Sequence, residues 1–428
     1  AQLLASDRPP SRNKYSKSTL DDTAADYVEG EVLVKLRKGM SGEKVRATFD
    51  RHGISASDYE LIAEPLTWYL VDFDEEQTDI KDVIRDFLSD DEILNAEANY
   101  YRSESFEPYD NLSEVQWAIW PRDEAFGKPG SIELTKAWDW PSGTNGVTIA
   151  VVDSGINSEH EDLQNRVVGG YNFRDNNSDT TDVTGHGTMV SGVIAAETDN
   201  HLGIAGAAGT CPNVKIMPLR IKDSAGQSTS KLSTRAIMYA AQHDAKIINM
   251  SYGGTDWAGA EQDAINSAYQ NGCILVAASG NQDLPDDPVD IVQYPAAYDN
   301  VIAVGATGRD GRRWVDSCYG ENLDIMAPGV DIWTTTSDGL YWYVSGTSFA
   351  APFVSGVAAL ILASRSDLSP SIVTQCLTTT TYSLPGYTVG EYGAGLLDAY
   401  GAIRKALPPD IQVEVSKMVF SRGLHQRI

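Results

Sequence analysis

Val147-Thr-Ile-Ala-Val-Val-Asp153 is a nearly unbroken apolar run that ends in a carboxylate. A strand wetted on one side alternates apolar and polar residues. A run without that alternation is buried on both faces, as strands of a parallel sheet covered by helices are. Similar runs recur at Val214–Ile221, Lys246–Met250, Ile274–Ala278, Val301–Val304 and Leu323–Met326, with helical stretches such as Thr234–His243 and Glu261–Tyr269 between them. Strands alternating with helices predict an α/β unit with a mostly parallel sheet and helices on both faces. In such folds the chemistry collects at the carboxyl ends of the strands. Asp153 and Asn281 fall there on this reading.

Upstream, residues 27–100 read as a separate compact unit. Glu31–Leu36 alternates like a strand, and Ser41 caps a helix that runs to His52 and stops at Gly53. Tyr59–Ala63 and Thr67–Phe73 alternate as two more strands. Asp79–Leu88 carries Ile80, Val83, Ile84, Phe87 and Leu88 at helical spacing, and Ile93–Tyr100 returns as a last strand. The order βαββαβ is that of a small ferredoxin-like α+β domain, a fold that by itself says little about function. Residues 1–26 are polar, contain Pro9-Pro10 and read as a flexible arm. Residues 101–145 form a connector, and Pro408-Pro409 opens a C-terminal linker or extension. The expected divisions are 1–26, 27–105, 106–407 and 408–428.

The 428 residues include 33 basic and 60 acidic ones, a net charge of −27. Such a chain repels phosphate backbones, so nucleic acid is not an expected partner. The longest apolar run, Gly356 to Ala363, is too short to cross a bilayer, and no membrane-spanning segment is expected. Cys211, Cys273, Cys318 and Cys376 allow two disulfides in three pairings. A buried free thiol is an equal reading for Cys273, which opens an apolar strand.

Three short stretches carry chemistry: Val151-Val-Asp-Ser-Gly-Ile156, Gly185-His-Gly-Thr-Met-Val-Ser-Gly192 and Gly346-Thr-Ser-Phe-Ala-Ala-Pro352. Each has a plain structural reading alone. A strand-end Asp is commonly a cap or surface residue, a Ser before an apolar helix is an N-cap, and Asn281 after Gly280 is an ordinary turn. Taken together they supply a hydroxyl nucleophile, a base to take its proton and a carboxylate to orient that base. Each also places glycine within two residues of the central group, so backbone can approach a substrate closely.

In the order Asp, His, Ser these stretches resemble the three active-site motifs of the subtilisin family. The resemblance runs from about Gln116 to about Leu407 and takes in Ile248-Asn-Met-Ser-Tyr-Gly-Gly254, Ala277-Ala-Ser-Gly-Asn281 and Leu323-Asp-Ile-Met-Ala-Pro-Gly329. It implies a secreted serine endopeptidase, exported behind a leader since removed. Ser348 would be the nucleophile, His186 the general base and acid, and Asp153 the residue that fixes the imidazole. The N-terminus of the helix begun by Ser348 and the Asn281 side chain would hold the oxyanion.

The resemblance further implies that peptide or protein substrates add as a strand between Lys222-Asp-Ser-Ala-Gly226, with Ser224, Ala225 and Gly226 as the binding residues, and Ser251-Tyr252-Gly253-Gly254. Ser279 and Gln293 would then lie at the primary pocket. Gln293 stands where relatives often have a small residue. A structural calcium ion is implied at Asp110, Asp162, Thr198, Asn200 and Leu202, with 198–203 forming a loop inside the helix that follows His186. Met189, Phe349 and Asp316 depart from the family pattern without removing a proton-transfer or oxyanion group.

The N-terminal unit resembles the propeptide of the same family, ending near Tyr100. That implies a zymogen whose own propeptide aids folding and inhibits, with autocleavage between Tyr101 and Glu107. Five or six extended residues at about 3.3 Å each give the reach. The competing reading is an inactive or permanently inhibited scaffold on the same fold. An esterase of the α/β-hydrolase type would need a Gly-x-Ser-x-Gly elbow and the order Ser, Asp, His, and neither occurs.

Overall fold

The computed structural model describes residues 27–407 apart from 64–65, 75–77, 101–106, 123–128, 141–142, 283–288 and 385–387. The arm at 1–26, the C-terminal stretch 408–428 and most of the expected cleavage segment therefore lie outside the described residues. The chain divides at residue 103 into two compact units.

The N-terminal unit runs β1 (Tyr27–Leu36), α1 (Gly42–Arg51), β2 (Tyr59–Ala63), β3 (Trp68–Asp72), α2 (Ile80–Leu88) and β4 (Ile93–Tyr100). Its antiparallel sheet has the order β2-β3-β1-β4, the ferredoxin-like arrangement expected. Ser41 and Asp79 start the two helices by accepting from the Lys44 and Lys81 amides, satisfying N–H groups that have no partner within the helix. Val32, Val34 and Val71 of the sheet bury against Phe49 of α1 and Ile84 and Phe87 of α2.

The second unit opens with the short α3 (Leu134–Ala137). It then runs β5 (Val147–Asp153), β6 (Tyr171–Asn172), α4 (His186–Ala195), β7 (Val214–Arg220), α5 (Ser230–Gln242), β8 (Ile247–Met250), α6 (Gly259–Gln270) and β9 (Ile274–Ala278). After these come β10 (Val301–Thr307), β11 (Ile325–Pro328), β12 (Ile332–Thr335), β13 (Tyr341–Val344), α7 (Thr347–Ser364), α8 (Pro370–Thr379), α9 (Val389–Tyr392) and α10 (Ala399–Ala406). Seven strands form one parallel sheet in the order β11-β10-β9-β8-β5-β7-β6.

The unbroken apolar run of β5 has a direct cause. Val147, Ile149 and Val151 face the layer built by α4, α7, α8 and α10, while Ala150 and Val152 face the layer of α5 and α6. The apolar residues of the strand thus meet a core on each face. Each fully buried Val or Ile side chain contributes about 1.5–3 kcal/mol of transfer free energy. Within this frame α7 is long and apolar enough to cross a membrane, yet 89% of it is buried inside the protein, where it serves as the core helix.

The alternatives left open for the cysteines are decided, and one expectation is corrected. No disulfide is formed among the four cysteines, all of which are buried. Cys211 and Cys376 sit in the layer under α7 and Cys273 in the opposite one, with the sheet between them. The Cys273 thiol donates to the Ala245 carbonyl at 3.1 Å, and burial pushes its pKa up to about 11. The loop at 198–203 does not interrupt a helix either. Ala196 leaves helical geometry and no helix resumes before β7.

Candidate active site

Asp153 is the last residue of β5 and is fully buried. His186 is the first residue of α4. Its Nδ1 lies 2.9 Å from both carboxylate oxygens of Asp153. A carboxylate only accepts, so Nδ1 carries a proton, which leaves Nε2 as the acceptor when the ring is neutral. The approach is possible because the next residue is Gly187: a Cβ there would sit 2.1 Å from the Gly155 carbonyl oxygen.

Asp182 ties the two ends of this pair together. It accepts from the Ser154 hydroxyl at 2.7 Å, from the amides of Gly185 and Thr188 at 2.8 Å each, and from the Thr188 hydroxyl at 2.6 Å. Ser154 in turn accepts from the Gly187 amide at 2.9 Å. The residue after Asp153 and the turn that carries His186 are therefore one hydrogen-bonded block. The sequence reading missed Asp182. Its only signal was an Asp four residues before His186 in a turn-rich stretch.

Ser348 lies in the first turn of α7, a helix buried along nearly its whole length. Its hydroxyl donates to the Ser251 carbonyl at 3.3 Å, and the Ser251 hydroxyl donates to the Ser348 carbonyl at 2.9 Å. Asn249 donates to the Ser251 hydroxyl at 3.0 Å and accepts from Ser355 at 2.8 Å, so the end of β8 is pinned to α7. The Asn281 amide oxygen accepts from the Thr347 amide at 3.0 Å and hydroxyl at 2.8 Å. Nδ2 is thereby turned toward Gly346 as a donor. The Phe349 ring stands 5.6 Å from the His186 ring, centroid to centroid, which places the imidazole beside the first turn of α7. Phe349 thus packs on the imidazole, whereas Met189 lies one turn further along α4.

The expected substrate edges are formed as follows. Ser224, Ala225 and Gly226 are exposed, on a turn closed by Asp223, whose side chain accepts from the Ala225 and Gln227 amides at 3.0 Å each. Tyr252 is half-buried and Gly253 and Gly254 are exposed, with Gly254 exchanging backbone bonds with Tyr294. The Gln293 side chain fills the space between Gly253 and Gly280. A Cβ at Gly253 would meet its Oε1 at 2.3 Å. Ser279 is fully buried and gives its hydroxyl to the Cys318 carbonyl at 2.8 Å. Its side chain holds the wall together and faces no open space.

Burial alone would raise the pKa of Asp153. The charges of His186 and Lys222 outweigh that effect and hold it well below the usual carboxylate range. Lys222, which the sequence reading placed only at the start of the substrate edge, reaches Asp153 Oδ1 at 3.0 Å. Its place in Lys222-Asp-Ser-Ala-Gly226 gave no sign that the lysine turns inward.

The five residues expected to hold calcium lie together. Asp110 accepts from the amides of Asp199 at 3.0 Å and Asn200 at 3.1 Å. Asp162 accepts from the Asn200 side chain at 2.8 Å and the Ile204 amide at 3.0 Å. Asn200 also accepts from the Leu202 amide at 2.8 Å, and Thr198 is buried in the same loop. Burial pushes both carboxyls upward, Asp162 to about 6. Among the described residues no three His, Cys, Asp or Glu side chains form a metal cluster. A cation here would need amide, hydroxyl and carbonyl oxygens beside the two carboxylates, a mixture that suits calcium.

A parallel α/β sheet with an Asp-held imidazole and a helix-terminal serine at one end defines the class, a serine-dependent hydrolase. Residues 144–402 match the profile of the Subtilase family. The chain is 32% identical over 404 residues to the thermophilic serine proteinase of Bacillus sp. strain AK1, covering 94% of each. It is 39% identical over 291 residues to thermitase of Thermoactinomyces vulgaris, which is 66% of this chain and 99% of thermitase. A solved protease structure from Pseudoalteromonas arctica PAMC 21717 superposes with a TM-score of 0.62 at 31% identity, over 70% of this chain and 99% of that one. The chain belongs to the subtilase family and is a subtilisin-like serine peptidase.

Proposed function

We propose that the chain is the zymogen of a secreted endopeptidase that works through Asp153, His186 and Ser348. The observation that carries this reading is the bond from His186 Nδ1 to both oxygens of Asp153 at 2.9 Å, beside a helix whose first turn bears Ser348. Ser348 leaves the Ser251 carbonyl by rotation about χ1 and gives its proton to His186 Nε2 as it attacks the substrate carbonyl. Asp153 stabilises the imidazolium that forms. The Ser348 N–H in the first turn of α7 and Asn281 Nδ2 take the developing oxyanion. His186 then protonates the leaving amine, and water hydrolyses the acyl-enzyme by the same path.

On this reading extended substrates pair with 224–226 and 251–254, and Gln293 limits the primary pocket to side chains that leave it in place. Residues 27–105 act as intramolecular inhibitor and folding aid ahead of the catalytic domain at 106–407, flanked by the arm 1–26 and the extension 408–428. An alignment that spans 94% of this chain with a named serine proteinase supports treating the two units as one precursor. Calcium, held by Asp110, Asp162, Asn200, Thr198 and Leu202, would neutralise buried acid and brace the loop, with no part in proton transfer. The test is intact-mass analysis of freshly refolded chain with calcium, beside Ser348→Ala. Loss of about the first hundred residues in the unmutated chain alone is expected from the tail's reach. An intact N-terminus in both after long incubation would instead favour the inhibited or inactive scaffold.

A further inference from the structure

The segment after β7 carries a buried cation to the centre of the site. The amides of Ile221 and Lys222 donate to the Asp153 carbonyl at 2.8 and 3.4 Å, which fixes the lysine's backbone beside the strand end. Lys222 is only 8% exposed. Its Nζ lies 3.0 Å from Asp153 Oδ1 and 3.4 Å from His186 Nδ1. The second distance is not a hydrogen bond, because Nδ1 already gives its proton to Asp153. Two donors converge on one carboxylate.

We propose that Lys222 is a positioning residue for the peptidase reaction: it balances the buried charge of Asp153 and opposes premature protonation of His186, keeping the imidazole available as a base in mildly acidic solution. The inference rests on the triad reading above. A buried carboxylate without a cation is costly. Two groups can balance Asp153, an imidazolium or the Lys222 ammonium. With the ammonium in place the resting site is neutral with an uncharged imidazole. Without it the carboxylate draws a proton onto His186, which is then no base. During acylation the imidazolium forms together with the oxyanion, so that step creates a charge pair, whereas protonation at rest adds an unmatched positive charge beside the ammonium.

The other groups around the pair do not compete for this role. From α7 the neighbour is the Phe349 ring, which is uncharged. From the segment after β8, Tyr252 lies within electrostatic reach of Asp153, and burial holds its hydroxyl well above the usual tyrosine range, so it stays neutral. Asp182, on the turn before α4, is engaged by Ser154, Thr184, Gly185 and Thr188. Arg220, whose Nε reaches the Lys222 carbonyl at 3.5 Å, turns its guanidinium to Asp175.

The experiment measures kcat/KM against pH on a small peptide anilide for the mature wild-type enzyme, Lys222→Met and Lys222→Arg. The acid limb of Lys222→Met is expected about one pH unit higher, the size for removing a unit charge near the ring in a solvated cleft. Below the limb the variant then runs about tenfold slower, and Lys222→Arg restores the wild-type limb. Should the Met variant not fold, Lys222→Gln, which keeps a donor to Asp153 and removes the charge, carries the same expectation. An unmoved limb in the neutral variants overturns the proposal, whatever happens to the plateau rate. An equal displacement in Lys222→Arg also overturns it, because charge would not be the cause. Loss of the triad reading would show differently, as a wild-type chain that hydrolyses nothing, and would take the inference with it.

Discussion

Asp153 and Asp162 stand nine residues apart in sequence and both are fully buried, yet they are opposite in character. Burial raises both. At Asp153 the charges of His186 and Lys222 reverse the effect and hold the carboxyl well below the usual range. At Asp162 burial is opposed by hydrogen bonds and by the more distant charges of His160 and Arg166, whose guanidinium bonds the Cys211 and Gly209 carbonyls instead, and the carboxyl is pushed up to about 6. Depth in the fold therefore does not decide whether a buried acid stays ionised; a cation bonded directly to it does. The chain supplies that cation itself at the reacting end of β5. At the 198–203 loop it supplies oxygens instead, which fits a cation taken from solution. Asp398 makes a third case: half-buried beside Tyr382 and Glu133, it too is pushed up to about 6.

The largest effect is expected at the compensated end. Ser348→Ala should cost about a million-fold in kcat on a peptide anilide, the scale for removing the nucleophile from such a triad. On the oxyanion role proposed for its side-chain donor, Asn281→Ala should cost about 100- to 1000-fold in kcat with little change in KM. Equal loss of binding in Asn281→Ala would move that residue from the reacting centre to the substrate edge.

At the uncompensated loop the effect is on stability. Calcium at about a hundred times its Kd should stabilise the Ser348→Ala chain by about 2.7 kcal/mol against urea. Asp162→Asn should abolish that difference. An equal calcium response in the variant would place the ion elsewhere.

Asp398 gives the smallest and most pH-specific effect. An Asp that titrates near 6 when folded and at about 3.9 when unfolded binds its proton more tightly in the folded state. Its ionisation therefore costs stability as pH rises from about 4 through 6, and the cost is complete above that. Asp398→Asn keeps the cap that accepts from the Gly401 amide at 2.8 Å. In the Ser348→Ala background it should be more stable than its parent by about 1–3 kcal/mol at neutral pH, with the gap closing near pH 4. Urea midpoints at the two values check it, and a gap of equal size at both would show that charge is not the cause.

The sheet was legible because a strand covered on both faces has no reason to vary its polarity. Val147–Asp153 and Ile274–Ala278 were found to the residue. The N-terminal unit was equally legible, since strand alternation and the Ser41 and Asp79 caps are local signals. The two-residue β6 and the β12–β13 hairpin, paired Ile332 to Val344, were not read. One is too short to show a period, and the other sits in a stretch without alternation. At the site, residues inside short motifs were readable, but Asp182 and Lys222 were not. Their roles come from where a turn and a strand end bring them, and neither spacing nor residue type announces that. The cysteines show the same limit, because sequence counts thiols, whereas the fold puts Cys273 across the sheet from Cys211 and Cys376.

Every proposed step requires Ser348 to be an activated nucleophile. Intact and peptide mass analysis after treatment with a fluorophosphonate, on the unmutated chain and on His186→Ala, reads this without any substrate. A single adduct on Ser348 is expected in the unmutated chain and none in the variant. No adduct, an adduct on another residue, or equal labelling without His186 would contradict it.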